Sequence, residues 1–180
     1  MSFKPLTPNT LSPFPPIKWV GFDVDGVMTD GGIMIDDNGV ETKRFHSRDG
    51  HALKMLVRSG MKVAIVTGRR SQVVERRAKE LGITEVHQKV MDKGEAYLKI
   101  LEAHGLTPEE TAFAGDDIVD LPIMIRCGLP MAPSDATSEA LAVARFVSRA
   151  KGGHGAVREM VEHLLVGLGL WDAIIAKYSA

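Results

Sequence analysis

From Ser47 onward the chain alternates short apolar runs with amphipathic segments of helix length, and few folds accommodate that order. Residues 63–66, 85–88, 111–114, 129–131 and 144–147 read as strands, and an earlier apolar run beginning at Ile17 reads as another. Helices are expected from 47 to about 59, 71 to 81, 92 to 104, near 138–143, and from about 155 to 168, with a last one over 170–178. Gly82 supplies a stop signal after one of them, and Asp92 supplies an N-cap for the next. Strands apolar on both faces must be covered on both faces. The expected fold class is therefore α/β: a Rossmann-like parallel sheet flanked by helices.

The strands end in polar clusters. The first run closes on Phe22-Asp23-Val24-Asp25-Gly26, with two carboxylates spaced i, i+2. Such residues share a face if the strand continues through them, and Gly26 then lets the backbone turn away. Two close carboxylates repel, and burial worsens the repulsion; a divalent cation resolves it, and Mg²⁺ suits few carboxylates with several waters. Read alone, Asp-x-Asp-Gly is also an ordinary turn. Two further strands end at Thr67-Gly68-Arg69 and Gly115-Asp116-Asp117, with Asp120 three residues on, and Lys93 opens a helix. In a parallel sheet all strand ends point one way, so these clusters can converge. Carboxylates that hold a metal, beside donors and a positive charge for phosphoryl oxygens, suit phosphoryl transfer. Each residue also has a plainer reading: Thr67-Gly68 as a strand-ending turn, Lys93 as a solvated first-turn lysine, Asp120 as a helix-surface acid.

Composition narrows the remaining possibilities. At 180 residues, net charge −1, 25% charged and 44% hydrophobic, the chain matches an ordinary globular protein, with no general attraction to nucleic acid or to anionic membranes. The single cysteine, Cys127, rules out an intrachain disulfide and sits in an apolar context. No apolar run approaches the ~20 residues that span a bilayer, and the start lacks a secretory pattern, so a cytoplasmic location is expected.

Two segments stand outside the alternation. Residues 1–16 hold five of the nine prolines and read as an irregular, flexible arm ahead of one domain over 17–180. Residues 32–46 read as a β-hairpin around Asp36-Asp37-Asn38-Gly39, because Asn and Gly both tolerate positive φ. The insertion is too small for a separate domain.

Taken in order, Asp-x-Asp-Gly-Val, Thr-Gly-Arg, a helix-opening lysine and Gly-Asp-Asp-x-x-Asp resemble the four motifs of the haloacid dehalogenase superfamily of phosphohydrolases. The resemblance implies that Asp23 is the nucleophile and forms an aspartyl-phosphate, while Asp25 protonates the leaving alcohol and then activates water. It implies that Thr67, Gly68 and Lys93 hold the phosphoryl group. Mg²⁺ would be bound by Asp23, Asp116 and the backbone carbonyl of Asp25, with Asp117 or Asp120 in support.

The match runs further. Val24–Gly31, the hairpin, Phe45-His46-Ser47-Arg48-Asp49-Gly50 and Gly152-Gly153-His154-Gly155-Ala156-Val157-Arg158-Glu159 are similar to the 3-deoxy-D-manno-octulosonate 8-phosphate phosphatase family. That family implies a small sugar acid phosphate as substrate, a place in lipopolysaccharide synthesis, and a hairpin in place of a cap domain. It also implies a homotetramer in which neighbouring subunits cover each active site. Closing a lidless site by oligomerisation has a physical reason, the exclusion of water. Arg48 and Arg69 are the candidates for the substrate carboxylate, since guanidinium matches carboxylate in two-point geometry. The chain departs from some relatives at His154, where they carry arginine, and at His46-Ser47, where they carry Asn-Val. Two alternatives stay open: a phosphatase for a nine-carbon 2-keto sugar acid phosphate, and a non-catalytic oligomeric scaffold of the same fold. A receiver-like phospho-acceptor would need neither Asp25 nor the hairpin.

Overall fold

The computed structural model describes residues 14–178. Six strands form one sheet: β1 (Trp19–Phe22), β4 (Lys62–Val66), β5 (Glu85–His87), β6 (Thr111–Ala114), β7 (Leu129–Ala132) and β8 (Phe146–Val147). Their order across the sheet is β5-β4-β1-β6-β7-β8, and every pairing is parallel. The strand with the Asp-x-Asp ending thus lies at the centre, where the chain switches from building one side to building the other. In open parallel sheets the crevice at such a switch point is where ligands bind.

Alternation along the strands divides the core. Val20, Phe22, Val63, Ile65 and Met131 face one side. There they pack under α1 (Ser47–Arg58), α2 (Gln72–Leu81) and α6 (Ala156–Gly167). Trp19, Ala64, Val66 and Phe113 face the other side, under α3 (Lys93–His104), α4 (Leu121–Met124) and α5 (Ser138–Val143). The four central strands, β4, β1, β6 and β7, are buried along nearly their whole length, which is why they read as continuous apolar runs rather than alternating ones. A last helix, α7 (Trp171–Ala176), packs on α6.

The helix ends follow the expected chemistry. Ser71 accepts the Val74 amide at 3.4 Å, and Asp92 accepts the Glu95 amide at 2.9 Å. Asp49, in the first turn of α1, reaches across to the start of α6. Its two oxygens accept the amides of Gly155 and Arg158 at 3.1 and 2.8 Å. Burial raises its pKa against these bonds.

The hairpin forms from β2 (Met34–Ile35) and β3 (Glu41–Thr42) as an antiparallel pair. The turn differs from the expectation in one respect. Gly39 has φ +76, but Asn38 does not adopt positive φ. Asp36 instead organises the loop, its Oδ1 accepting the amides of Asn38 and Val40 at 3.0 and 2.7 Å. A side-chain acceptor replaces the second left-handed residue. Most of the proline-rich arm, residues 1–13, lies outside the described residues. Phe14 packs edge-on against the buried His163 ring, at 5.5 Å between centroids.

Candidate active site

Register explains the convergence. Phe22 pairs with Ile65 on one side and Ala114 on the other, so the residues just past β4, β1 and β6 lie side by side. The Asp23 amide extends the ladder by one bond, to the Ala114 carbonyl at 2.9 Å. The chain then leaves the sheet in a wide turn over Val24–Met28, closed by the Thr29 amide on the Val24 carbonyl at 3.0 Å. Gly26 within it has φ +95, a left-handed conformation that glycine adopts without strain. The strand therefore does not run on through Asp25, which separates the two carboxylates into different environments.

A cavity of about 350 Å³ occupies the space above these strand ends. Asp23, Asp25, Thr67, Gly68, Arg69, Lys93, Asp116 and Asp117 line it. A larger cavity of about 550 Å³ adjoins it at Val90 and Met91, between β5 and α3.

Asp23 is buried, with Oδ1 at 2.6 Å from Lys93 Nζ. Lys93, only 3% exposed, contacts Asp120 as well. Burial pushes the Asp23 carboxyl up to about 7 against the pull of Lys93, with the Asp120 charge adding to the rise. Asp116 is also raised to about 7, by burial first and then by the charges of Asp23, Asp120 and Asp117. Burial acts to lower the Lys93 ammonium, but Asp23 and Asp120 outweigh it and hold it above its ordinary value. One ammonium among three acids leaves excess negative charge.

That excess is what a cation would relieve. Asp23, Asp116 and Asp120 each offer an oxygen within 4.8 Å of the others, and Asp116 Oδ1 is buried without a hydrogen-bond partner. An all-carboxylate donor set with one orphaned oxygen fits a hard divalent ion such as Mg²⁺.

Of the two acids named as support, the structure brings Asp120 into the cluster. It is fully buried, and its second oxygen accepts the Asp116 and Asp117 amides at 3.0 and 3.3 Å. Asp117 is exposed and caps its own turn, accepting the Ile118 amide at 2.7 Å. Thr67 is buried at the cavity wall, its amide and carbonyl held by His87 and Val90. Arg69 lines the cavity, with Nε 3.7 Å from Asp25 Oδ2 and Nη2 3.4 Å from Glu41. Arg48 is exposed in the first turn of α1 and is not part of this wall. His154 lies apart from the wall too. Its Nδ1 faces the Gly152 carbonyl at 2.8 Å and its Nε2 faces Arg44 at 3.1 Å. Guanidinium only donates, so the Arg44 contact needs Nε2 as its acceptor.

Sequence reasoning missed Lys43. Its side chain is 1% exposed, contacts Asp25 Oδ1, and lies 3.4 Å from Glu41. Alternation along the returning hairpin strand places Glu41 and Lys43 on one side, with Thr42 and Arg44 on the other. That much was readable. Which side turned toward Asp25 was not.

Comparison with known proteins agrees with this geometry. A family model of haloacid dehalogenase-like hydrolases matches residues 42–128, a span that holds Thr67, Lys93 and Asp116. The 3-deoxy-D-manno-octulosonate 8-phosphate phosphatase of Yersinia pestis is 45% identical over 144 residues, covering 80% of this chain and 77% of that protein. The Escherichia coli K12 enzyme of the same name is 38% identical over 170 residues, 94% of this chain and 90% of the other. The Moraxella catarrhalis enzyme, solved with a magnesium ion, a phosphate ion and a KDO molecule, superposes with a TM-score of 0.90. It is 37% identical, and the alignment covers 93% of this chain and 96% of that one.

Proposed function

The chain belongs to the 3-deoxy-D-manno-octulosonate 8-phosphate phosphatase family of haloacid dehalogenase-like hydrolases, and from that premise we propose that it hydrolyses this ester to KDO and inorganic phosphate through an aspartyl-phosphate on Asp23. The observation that carries the reading is the convergence of Asp23, Asp116 and Lys93 at one cavity, with Asp120 buried behind them against Lys93, in a chain this similar to those enzymes.

Asp23 attacks phosphorus, and the bond from phosphorus to the ester oxygen breaks. Asp25 gives its proton to that oxygen as it leaves. Water then attacks the aspartyl-phosphate at phosphorus and yields its proton to Asp25, which releases phosphate and restores both carboxyl groups. Lys93, the Thr67 hydroxyl and the Gly68 amide bind phosphoryl oxygens. Asp23, Asp116 and the Asp25 carbonyl would hold Mg²⁺, which would supply Lewis-acid stabilisation of the transferring group. Asp120 positions Lys93 and the Asp116 backbone from below. Arg69 is the partner for the sugar acid carboxylate within the protomer, and Arg48 takes that part only if a neighbouring subunit presents it.

The same proposal extends to assembly. Ile33, Met34, Ile35 and Val40 of the hairpin are all exposed, an apolar cluster that a soluble chain normally covers. We place it at the centre of a homotetramer whose neighbouring subunits close each cavity. Among the described residues no helix is long and apolar enough to cross a membrane, and a cytoplasmic enzyme is the simplest setting for the reaction.

The test is phosphate release from a panel containing the eight-carbon acid phosphate, a nine-carbon keto acid phosphate and hexose phosphates, each with Mg²⁺ and with EDTA. The expected result is Mg²⁺-dependent preference for the first. Preference for the nine-carbon acid would move the substrate assignment. No release from any of them would leave the oligomeric scaffold.

A further inference from the structure

Four side chains beside the reacting carboxylate form a closed ring of alternating charge. Lys43 contacts Asp25 Oδ1 and lies 3.4 Å from Glu41. Arg69 lies 3.4 Å from the same Glu41 oxygen and 3.7 Å from Asp25 Oδ2. Glu41 also accepts a hydrogen bond from Ser71, at the start of α2, so the ring is anchored to the scaffold. Residues 32–40 of the hairpin are all exposed, yet the Lys43 side chain is 1% exposed.

A buried ammonium is costly unless it is paired, and this one is paired at both of its neighbours. The two ends of the Asp25 carboxyl are not equivalent. Oδ1 is held by a buried, tightly engaged lysine. Oδ2 faces the longer contact, at 3.7 Å, from Arg69, whose side chain is 42% exposed.

We propose that Lys43 is a positioning residue for the leaving-group proton: by pinning Asp25 Oδ1 from the hairpin, it presents Oδ2 to the cavity as the oxygen that gives and takes the proton. The inference rests on the proposed acid/base role of Asp25. Without Lys43, Asp25 rotates among its rotamers and pairs with Arg69 through either oxygen, so the productive orientation is populated only part of the time. Positioning of this kind acts on turnover more than on binding, because the phosphoryl group is held by Thr67, Gly68 and Lys93 instead.

The test uses leaving-group chemistry. An alkyl phosphate needs its departing oxygen protonated; p-nitrophenyl phosphate, whose leaving group is stable as an anion, does not. Lys43→Met is expected to lower kcat on the sugar acid phosphate by about 10²-fold with KM little changed. Its loss on p-nitrophenyl phosphate should be at least ~10-fold smaller, and Lys43→Arg should recover part of the difference. Asp25→Asn and the Asp25→Asn/Lys43→Met double variant complete the cycle, and the second substitution should add little once Asp25 is asparagine. Should Lys43→Met fail to fold, Lys43→Gln replaces it in the same cycle. Equal losses on both substrates, or losses that multiply in the double variant, would overturn the positioning role. If Asp25→Asn itself shows no leaving-group dependence, the acid/base reading of Asp25 fails instead.

Discussion

A β-carbon on Gly26 would lie 2.0 Å from Oδ2 of Asp116. The turn after β1 and the acid after β6 are therefore packed against each other with no room for a methyl group. Gly26 also holds φ +95, so any other residue strains the backbone while it pushes on a proposed metal ligand. Gly26→Ala is expected to weaken Mg²⁺ binding roughly 10–100-fold, as disturbing a ligand's surroundings typically does. Titration calorimetry with Mg²⁺ measures this, and unchanged affinity would show that Asp116 does not hold the ion.

Asp23→Asn removes the nucleophile while keeping size and shape. Turnover should vanish, and the metal-free fold should melt no lower than the parent, because one of several crowded acids has gone. Residual phosphate release above a tenth of the parent rate would remove Asp23 from the nucleophile's role.

Proton and metal should compete at this site. Asp23 and Asp116 have pKa values raised from 3.8 to about 7 in the metal-free fold. Between those limits the folded state holds protons that the unfolded state has released, so stability is present below about pH 4 and is lost as pH rises through about 7. Mg²⁺ binds the deprotonated carboxylates and offsets that loss. The melting temperature gained on adding Mg²⁺ should therefore grow from pH 5 to pH 8. A gain independent of pH would mean that the ion binds elsewhere.

Asp49 ties α1 to α6 through two backbone amides from a buried position. Asp49→Ala leaves both donors without partners. Denaturant unfolding should show a loss of roughly 2–3 kcal/mol, more than an exposed cap costs. A change below about 0.5 kcal/mol, the size of an ordinary surface substitution, would mean that water replaces the carboxylate.

The hairpin's exposed apolar side chains carry the proposed assembly. Deleting the hairpin would also remove Lys43, so a point change separates the two roles. Ile33→Glu with Ile35→Glu should yield a smaller species by light scattering and a lower kcat/KM, with the Lys43–Asp25 contact untouched. A tetramer that survives the double change would place the interface elsewhere.

Much of the molecule was legible because its determinants are local. Continuous apolar runs specify buried strands, Ser71 and Asp92 cap the helices that follow them, and the polar clusters fall where each strand must stop. Parallel strands then oblige Asp23, Thr67 and Asp116 to share one end of the sheet. What the sequence alone determined is the sheet, the end at which chemistry sits, and the residue types gathered there. Only the tertiary structure decided which of Asp117 and Asp120 is buried with Lys93, that Arg48 lies off the cavity wall, and that Lys43 turns inward to Asp25. Those outcomes depend on how a loop closes and which face a short hairpin presents. Contacts between residues as far apart as Asp25 and Lys43, or Lys93 and Asp120, settle them, and neither spacing nor periodicity along the chain encodes such contacts.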